Sequence, residues 1–377
     1  MPRVILSVLL LLLSTLVLYK APLHFLWLLA VAITNYPYIF IIASLLLLVS
    51  AFVFVKYRPV ILITSFVSLL IYTMPLIGAY QQNARLPAAL GKVFNSATAS
   101  NGLTNPFSFF KMFTGIGINK VEAKTIVYKS IQSSTLTLDF YPSSSTTKSP
   151  LIIVVHGGSW ESGDNKDFID FNCYFANKGY NVASINYRLA PAYRSPAPME
   201  DTRDAIACLT QHAAEYNIDT SNIILLGRSA GAQIALVTAY TSHNPNLKGV
   251  IDFYGPADMV WGGQVKTSKL MLDTKKIYKD YFGGQYSEVP QVFKQNSACD
   301  LVDSTTIPTL IIHGTIDAMV SHIHSEHLQK TLQHNNVPCY FLSMPYATHG
   351  CDYVISSPGG QVTTYAVEQF IQAVTKH

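Results

Sequence analysis

Acidic residues are missing from the first third of the chain. The first Asp or Glu among its 377 residues is Glu122, and eight basic residues precede it. Charge is scarce throughout, at 13% of residues against about 25% in ordinary soluble domains. That scarcity argues against a wholly soluble protein, and a composition 49% hydrophobic and 12% aromatic argues against disorder. No internal repeat and no N-glycosylation sequon occur. No Cys-x-x-Cys pair exists among Cys173, Cys208, Cys299, Cys339 and Cys351, so thiolate zinc and dithiol redox sites are not expected. His322 and His324 are two apart on a helical stretch, a spacing that separates their rings, so no metal and no cofactor is expected. Nucleic-acid binding needs a basic patch on the folded domain, and beyond Glu122 the charge is slightly acidic.

Long apolar runs are what the first 80 residues do have. Val60–Tyr80 is 21 residues without a charge, and Tyr38–Val55 is 18 more. Either can cross about 30 Å of hydrocarbon as a helix. Val4–Thr34 is apolar but interrupted by Lys20, Ala21 and Pro22, and reads as one long helix, two short ones, or a helix plus an interfacial piece. Three transmembrane helices are expected within residues 1–80, with four as the alternative. No small-x-small cleavage site comes after the first run, so a signal anchor fits better than a cleaved signal peptide. Neither clear span holds a charge, which points to an anchor rather than a transport pathway. With three spans, Arg3 shares a side with Lys56 and Arg58. The positive-inside tendency then places the chain beyond the third span outside the cytoplasm. Residues 81–120 read as a linker (95–102) and an interfacial or docking piece around Phe107, Phe109, Phe110 and Phe113.

From Lys124 onward short β-rich runs alternate with helical ones. Strands are expected at Thr125–Tyr128, Leu136–Phe140, Leu151–Val155, Val182–Asn186, Ile223–Leu226, Val250–Phe253, Thr309–His313 and Cys339–Ser343. Helices are expected at Asn165–Lys178, Glu200–Tyr216, Ala230–Thr241, Ser321–His334 and Val362–Thr375. Continuous β-branched strands alternating with helices imply an α/β fold, a mostly parallel sheet with helices on both faces. Residues 254–302 show no strand pattern and fit a small cap insertion.

Gly227-Arg228-Ser229-Ala230-Gly231 stands between a strand and a helix, the context of a nucleophile elbow. His156-Gly157-Gly158-Ser159-Trp160 ends the strand Leu151–Val155, where small residues let backbone N–H groups face an oxyanion. A serine hydroxyl needs a base, and the base needs a carboxylate. In this chain order the acid precedes the histidine, which selects Asp317 and His349, each just past the carboxyl end of a strand. Asp252 is the best rival acid; Asp300 and Asp303 face the wrong end of the sheet. His313 is expected to pack beside the acid turn and His156 to brace its loop.

On these motifs, residues 121–377 resemble an α/β-hydrolase of the esterase/lipase group, the hormone-sensitive-lipase-like carboxylesterases. Tyr187-Arg188-Leu189-Ala190-Pro191, with Pro196-Ala197-Pro198 and Asp201, is similar to a stretch of that group. The His-Gly-Gly-x-Trp loop is closer to that of kynurenine-formamidase-like and prenylcysteine-methylesterase-like members. The resemblance implies Ser229 as nucleophile, Asp317 as acid and His349 as base. The Gly158, Ser159 and Ala230 amides would form the oxyanion hole, with Gly157 shaping the loop. Trp160 and Trp261 are candidate pocket walls. The expected activity is serine-dependent cleavage of a small-molecule or lipid carboxylic ester. An arylformamidase-type amidase and a catalytically inert membrane-bound binding protein are the alternatives. Membrane lipids are the partner expected for the N-terminal segment. Every catalytic candidate lies beyond Val121, so a chain beginning near Lys120 is expected to carry a complete site.

Overall fold

The computed structural model describes residues 1–53, 56–94, 103–131 and 134–375. All eight expected strands form one sheet: β1 (Lys124–Ile131), β2 (Ser134–Tyr141), β3 (Ser149–Val155), β4 (Asn181–Ile185), β5 (Ile218–Arg228), β6 (Leu247–Phe253), β7 (Thr309–Gly314) and β8 (Cys339–Met344). Their order is β1-β2-β4-β3-β5-β6-β7-β8, with β1–β2 and β2–β4 antiparallel and every other pair parallel. The central strands are apolar on both faces because helices cover both. Ile152 and Ile153, neighbours pointing to opposite faces, are both fully buried.

Fourteen helices accompany the sheet among the described residues. Five precede it: α1 (Pro2–Ser14), continued by a 3-10 turn Thr15–Val17, then α2 (His24–Asn35), α3 (Pro37–Val53), α4 (Arg58–Phe94) and α5 (Lys111–Thr114). Interleaved with the strands are α6 (Ile169–Asn177), α7 (Ala197–Gln211) and α8 (Ala230–Ser242). The stretch between β6 and β7, where a cap insertion is expected, holds α9 (Met259–Gly262), α10 (Thr274–Phe282), α11 (Pro290–Gln295) and α12 (Ala298–Leu301). Last come α13 (Ile323–His334) and α14 (Pro358–Val374). The fold is that of an α/β-hydrolase.

Among the described residues, four N-terminal helices stand where three or four spans were expected. The chain breaks around Pro22, so Val4–Thr34 becomes two helices, and α2 has only 12 residues. It meets α3 at 84°; of the described helices only α4 is by itself long and apolar enough to cross a bilayer. Across α1, α3 and α4 small hydroxyls join the apolar interior and large apolar side chains face out. Ser7, Ser14, Ser44, Ser65 and Ser68 are buried, while Leu6, Ile42, Leu46, Ile63 and Phe66 are exposed. The bundle has a direction as well. The Arg3 guanidinium donates to the Ser50 carbonyl at 3.4 Å, and Tyr72 on α4 donates to Leu10 O at 2.7 Å. Arg3 thus lies at the end of the bundle where α3 finishes and Lys56 and Arg58 stand. The hydrolase lies at the other end, where α3 begins.

Residues 81–94, expected to begin a linker, continue α4 instead. Leu86 and Leu90 are buried in the same core cluster as Ile152, Leu226 and Phe370. The Asn83 amide then clamps the returning chain: it accepts from Phe107 N at 2.7 Å and donates to Phe107 O at 2.9 Å. Gln361 on α14 accepts from Ser108 N at 2.9 Å, and Glu368 from Leu103 N at 3.0 Å. The reason is ordinary packing: α4 supplies apolar cover for α14 that the hydrolase sequence lacks. The Asn-Ser-Ala-Thr stretch at 95–102 lies outside the described residues. Phe107 is buried in this seam, whereas Phe109, Phe110 and Phe113 point outward.

Candidate active site

Ser229 sits between β5 and α8 with φ 54° and ψ −121°, a left-handed conformation that a side-chain-bearing residue adopts only when its surroundings impose it. Two glycines make the turn possible. A Cβ on Gly227 would lie 2.2 Å from Gly231 O, and one on Gly231 would lie 2.2 Å from His156 O and 2.3 Å from Val155 O. The Ser229 turn and the His156 loop are therefore pressed together backbone to backbone. In that loop Gly158, Ser159 and Trp160 all have positive φ (115°, 54° and 62°), and a Cβ on Gly158 would strike Ser162 O at 2.1 Å. His156 braces the turn as expected. Its ring stacks on Tyr187 at 4.3 Å, Tyr187 donates to His156 O at 3.1 Å, and burial pushes its basicity down.

Asp317 and His349 meet. His349 Nδ1 lies 2.7 Å from Asp317 Oδ2, both side chains being buried. The second carboxylate oxygen accepts from Met319 N at 2.8 Å and Val320 N at 2.9 Å. His313, at the end of β7, places Nε2 3.1 Å from the same Oδ2. Burial alone would raise the Asp317 carboxyl. The two imidazoles outweigh it and hold the carboxyl well below the usual carboxylate range. On its other side the His349 ring lies 4.4 Å from Tyr254, which is pinned by its hydroxyl donating to Asp352 at 2.6 Å. Asp352 in turn pairs with the buried Arg228 at 2.6 Å. The guanidinium of Arg228 lies over the rings of Phe168, Phe171 and Phe253 at 3.8 to 4.6 Å.

Two cavities share Ser229. One is lined by Gly157, Gly158, Ser159, Ser229 and His349, closed by Tyr254 and, from the N-terminal segment, by His24 and Trp27. The other is more apolar and runs past Ser159 and Ala230 to Trp160, Trp261, Leu272 and Ile277. Trp160 is fixed there, stacked on Tyr281 at 4.5 Å and donating to Gln233 at 3.0 Å. Trp261 stands edge-on to His324, 4.9 Å away. Burial lowers the His324 pKa to about 3, so this wall is neutral.

The rival acids lie elsewhere. Asp252 is buried on β6, accepts from Gly255 N at 2.7 Å, and has no partner for its other oxygen among the described residues. Burial pushes its pKa up to about 7. Asp303 is taken up by Thr305 in an exposed turn before β7, and Asp300 lies on α12. His24 and Trp27 also line this region and Asn35 bonds the His349 loop, a contribution from before Val121 that the sequence reading did not include. Asn35 stands alone as an asparagine within the first 80 residues, and that polarity was the available sign.

An α/β-hydrolase sheet, a serine on a glycine-bounded elbow and a histidine–carboxylate pair at one cavity define the class. A family model, BD-FAE, matches residues 138–332, just over half of the chain, and the chain belongs to that family. It is similar to Esterase LipQ of Mycobacterium tuberculosis, 24% identical over 242 residues, which are 60% of this chain and 56% of that protein. Esterase LipC of the same organism is 24% identical over 61% of this chain and 59% of its own length. The chain thus spans little more than half the length of these curated relatives. Among solved structures, the Thermogutta terrifontis esterase 2 phosphonylated by sarin has a TM-score of 0.57 at 20% identity, over 68% of this chain and 96% of that one. The Pyrobaculum calidifontis esterase has a TM-score of 0.58 at 19% identity, over 78% and 92%. At that identity the likeness concerns the fold.

Proposed function

We propose that the protein is a membrane-anchored serine hydrolase that cleaves carboxylic esters through an acyl-enzyme. The observation that carries this reading is the meeting of Ser229, on its left-handed turn, and the Asp317–His349 pair at one glycine-lined cavity. Ser229 Oγ attacks the ester carbonyl carbon as its proton passes to His349. The carbonyl electrons move onto oxygen, where the Gly158, Ser159 and Ala230 amides meet the charge, with Gly157 shaping the loop. Collapse of the tetrahedral species breaks the C–O bond, and His349 protonates the departing alcohol. Water then repeats the attack on the acyl-enzyme, releasing the acid and restoring Ser229. Asp317 stays ionised, holds His349 Nδ1–H and leaves Nε2 free for the proton transfers. Trp160 and Trp261 would wall the acyl chain.

The relatives named esterases support an ester substrate. Covalent labelling of Ser229 by a fluorophosphonate tests the mechanism, and failure to label would favour an inert binding protein. A panel of p-nitrophenyl esters beside an aryl formamide tests the substrate class; faster formamide cleavage would favour the amidase reading.

Membrane anchoring is supported by the burial of α1, α3 and α4, large apolar side chains outside and small hydroxyls within the apolar interior, the arrangement a lipid solvent favours. In that reading α1, α3 and α4 cross, and α2 lies across the end next to the hydrolase. The outward Phe109, Phe110 and Phe113 would sit at the interface. Arg3, Lys56 and Arg58 gather at the far end, so the hydrolase would face away from the cytoplasm. Alkaline phosphatase fused after His377 in a bacterial host should be active; an inactive fusion with a fluorescent cytoplasmic reporter at the same point would reverse the orientation.

A further inference from the structure

α2 is a short helix of 12 residues, and the polar atoms of Trp27 and Asn35 reach the hydrolase. Trp27 Nε1 donates to the backbone carbonyl of His349 at 3.1 Å, a buried bond spanning 322 residues. Its ring meets the His349 ring edge-on at 6.4 Å. Two turns later Asn35 donates to Gly350 O at 3.2 Å and accepts from Val354 N at 3.2 Å. At the other end of α2, His24 N donates to Leu270 O of the cap at 3.1 Å, and the His24 ring lies 5.1 Å from Trp27. α2 therefore bridges the cap insertion and the histidine loop, with the Ser229 cavity between them and two of its own side chains in the wall.

The His349 loop has little regular structure of its own. From Pro345 to Ser357 the chain runs through turns between β8 and α14. The His349 ring is aimed by Asp317 and Tyr254, but the backbone that carries it is tied by α2. A misplacement of the base by about 1 Å can cost on the order of a hundredfold in rate. A bond to the base residue's own carbonyl is thus well placed to act on the chemical step.

We propose that α2 is a wall of the active site and that Trp27 is a positioning residue for His349, so that anchor and hydrolase make one catalytic unit. This rests on the reading of Ser229 and His349 as nucleophile and base. A helix serving only as anchor has no reason to direct an indole N–H and a carboxamide onto His349 O, Gly350 O and Val354 N of the histidine loop. A structural tie elsewhere on the domain would serve an anchor equally well.

The test uses the full chain in detergent micelles, with p-nitrophenyl butyrate turnover, the rate of fluorophosphonate labelling and the melting temperature as readouts. Trp27→Phe keeps an aromatic ring and deletes the N–H. It is expected to lower kcat about tenfold with KM within about twofold, to slow labelling in parallel, and to leave the fold intact. Asn35→Leu should do the same. The double variant should lose less than the product of the two, since both tie one loop. Unchanged kcat in both single variants overturns the proposal. So does a variant whose loss merely tracks its melting temperature, or one that no longer folds, because Trp27 would then be a packing residue. The underlying reading fails separately: full activity in Ser229→Ala would overturn it whatever the α2 variants do.

Discussion

The hydrolase and the N-terminal bundle differ in what they leave outside and in which small polar residues they take in. In the sheet Leu151, Ile153, Val182, Ile224 and Leu225 are fully buried. In the bundle Ser44, Ser65 and Ser68 are fully buried beside Ala51, Ile61 and Tyr72, while Leu46, Ile42 and Ile63 line the outside. Water drives the first arrangement by expelling apolar surface. A lipid solvent removes that drive, so small residues are kept inside because they let helices approach. On the proposed membrane reading, one chain carries two solvent codes, and α2 is where they meet. It belongs to the bundle by sequence and composition and to the active site by its contacts.

The largest effect expected separates the two regions by function. Ser229→Ala should lower ester turnover by on the order of 10⁴–10⁶ without changing membrane fractionation or folding. Asp317→Asn should be severe as well, since the amide favours the wrong His349 tautomer. If Asp252→Asn costs more with its fold intact, the acid is misassigned. Near-normal turnover in Ser229→Ala would remove the chemistry from this cavity.

A matched pair of surface changes tests the solvent codes directly. Leu46 on α3 is 65% exposed and Val127 on β1 is 54% exposed. By exposure alone, aspartate should be tolerated at both. In lipid, however, a charge at mid-helix costs roughly 2.5–3.5 kcal/mol, whereas a surface change on the hydrolase stays within about 0.5 kcal/mol. Leu46→Asp should therefore lower the share of protein that resists carbonate extraction from membranes, and Val127→Asp should not. Equal behaviour would mean that the bundle faces water.

The eight strands and the Ser229 turn were readable because their signals are local. Leu151–Val155 is a β-branched run, and Gly227 and Gly231 are needed by a turn five residues long. The pairing of Asp317 with His349 was readable from chain order. The second histidine on Asp317, four residues before it, was readable only as a neighbour of the acid turn. Nothing local shows that Leu86 and Leu90 cover α14, or that Trp27 reaches His349. Those pairings are fixed by the three-dimensional course of α4 and α2. An apolar run reads the same whether lipid or a protein helix covers it. The break at Pro22 signalled a change of direction, but not its destination.

Asp252 offers a smaller and more selective comparison. The folded carboxyl holds its proton to about pH 7, where an unfolded one releases it near 3.8. The folded chain therefore binds the extra proton between those values, and its stability falls as pH rises across that window. Melting measured at pH 5 and pH 8 should show the hydrolase losing several degrees at the higher pH. Asp252→Asn should flatten that slope, while the bundle, with no acidic residue among its helices, should show none of it. A slope surviving in Asp252→Asn would assign it to another group.

The smallest effect sharpens the comparison most, because it makes one chemical change in both solvents. Ser184 on β4 and Ser44 on α3 are each buried, with a hydroxyl that has no partner among the described residues. Burying an unpaired hydroxyl from water costs roughly 1–3 kcal/mol. Ser184→Ala removes that cost and keeps the volume nearly unchanged, so it should stabilise the hydrolase by about 1 kcal/mol. In the bundle the reference differs: a helix separated from its neighbours within lipid has no water for Ser44 to return to, and its hydroxyl finds other partners in the membrane. Ser44→Ala should therefore gain less than half as much, measured by unfolding the full chain in mixed detergent micelles. Equal gains at the two positions would show that the bundle, like the sheet, comes apart into water.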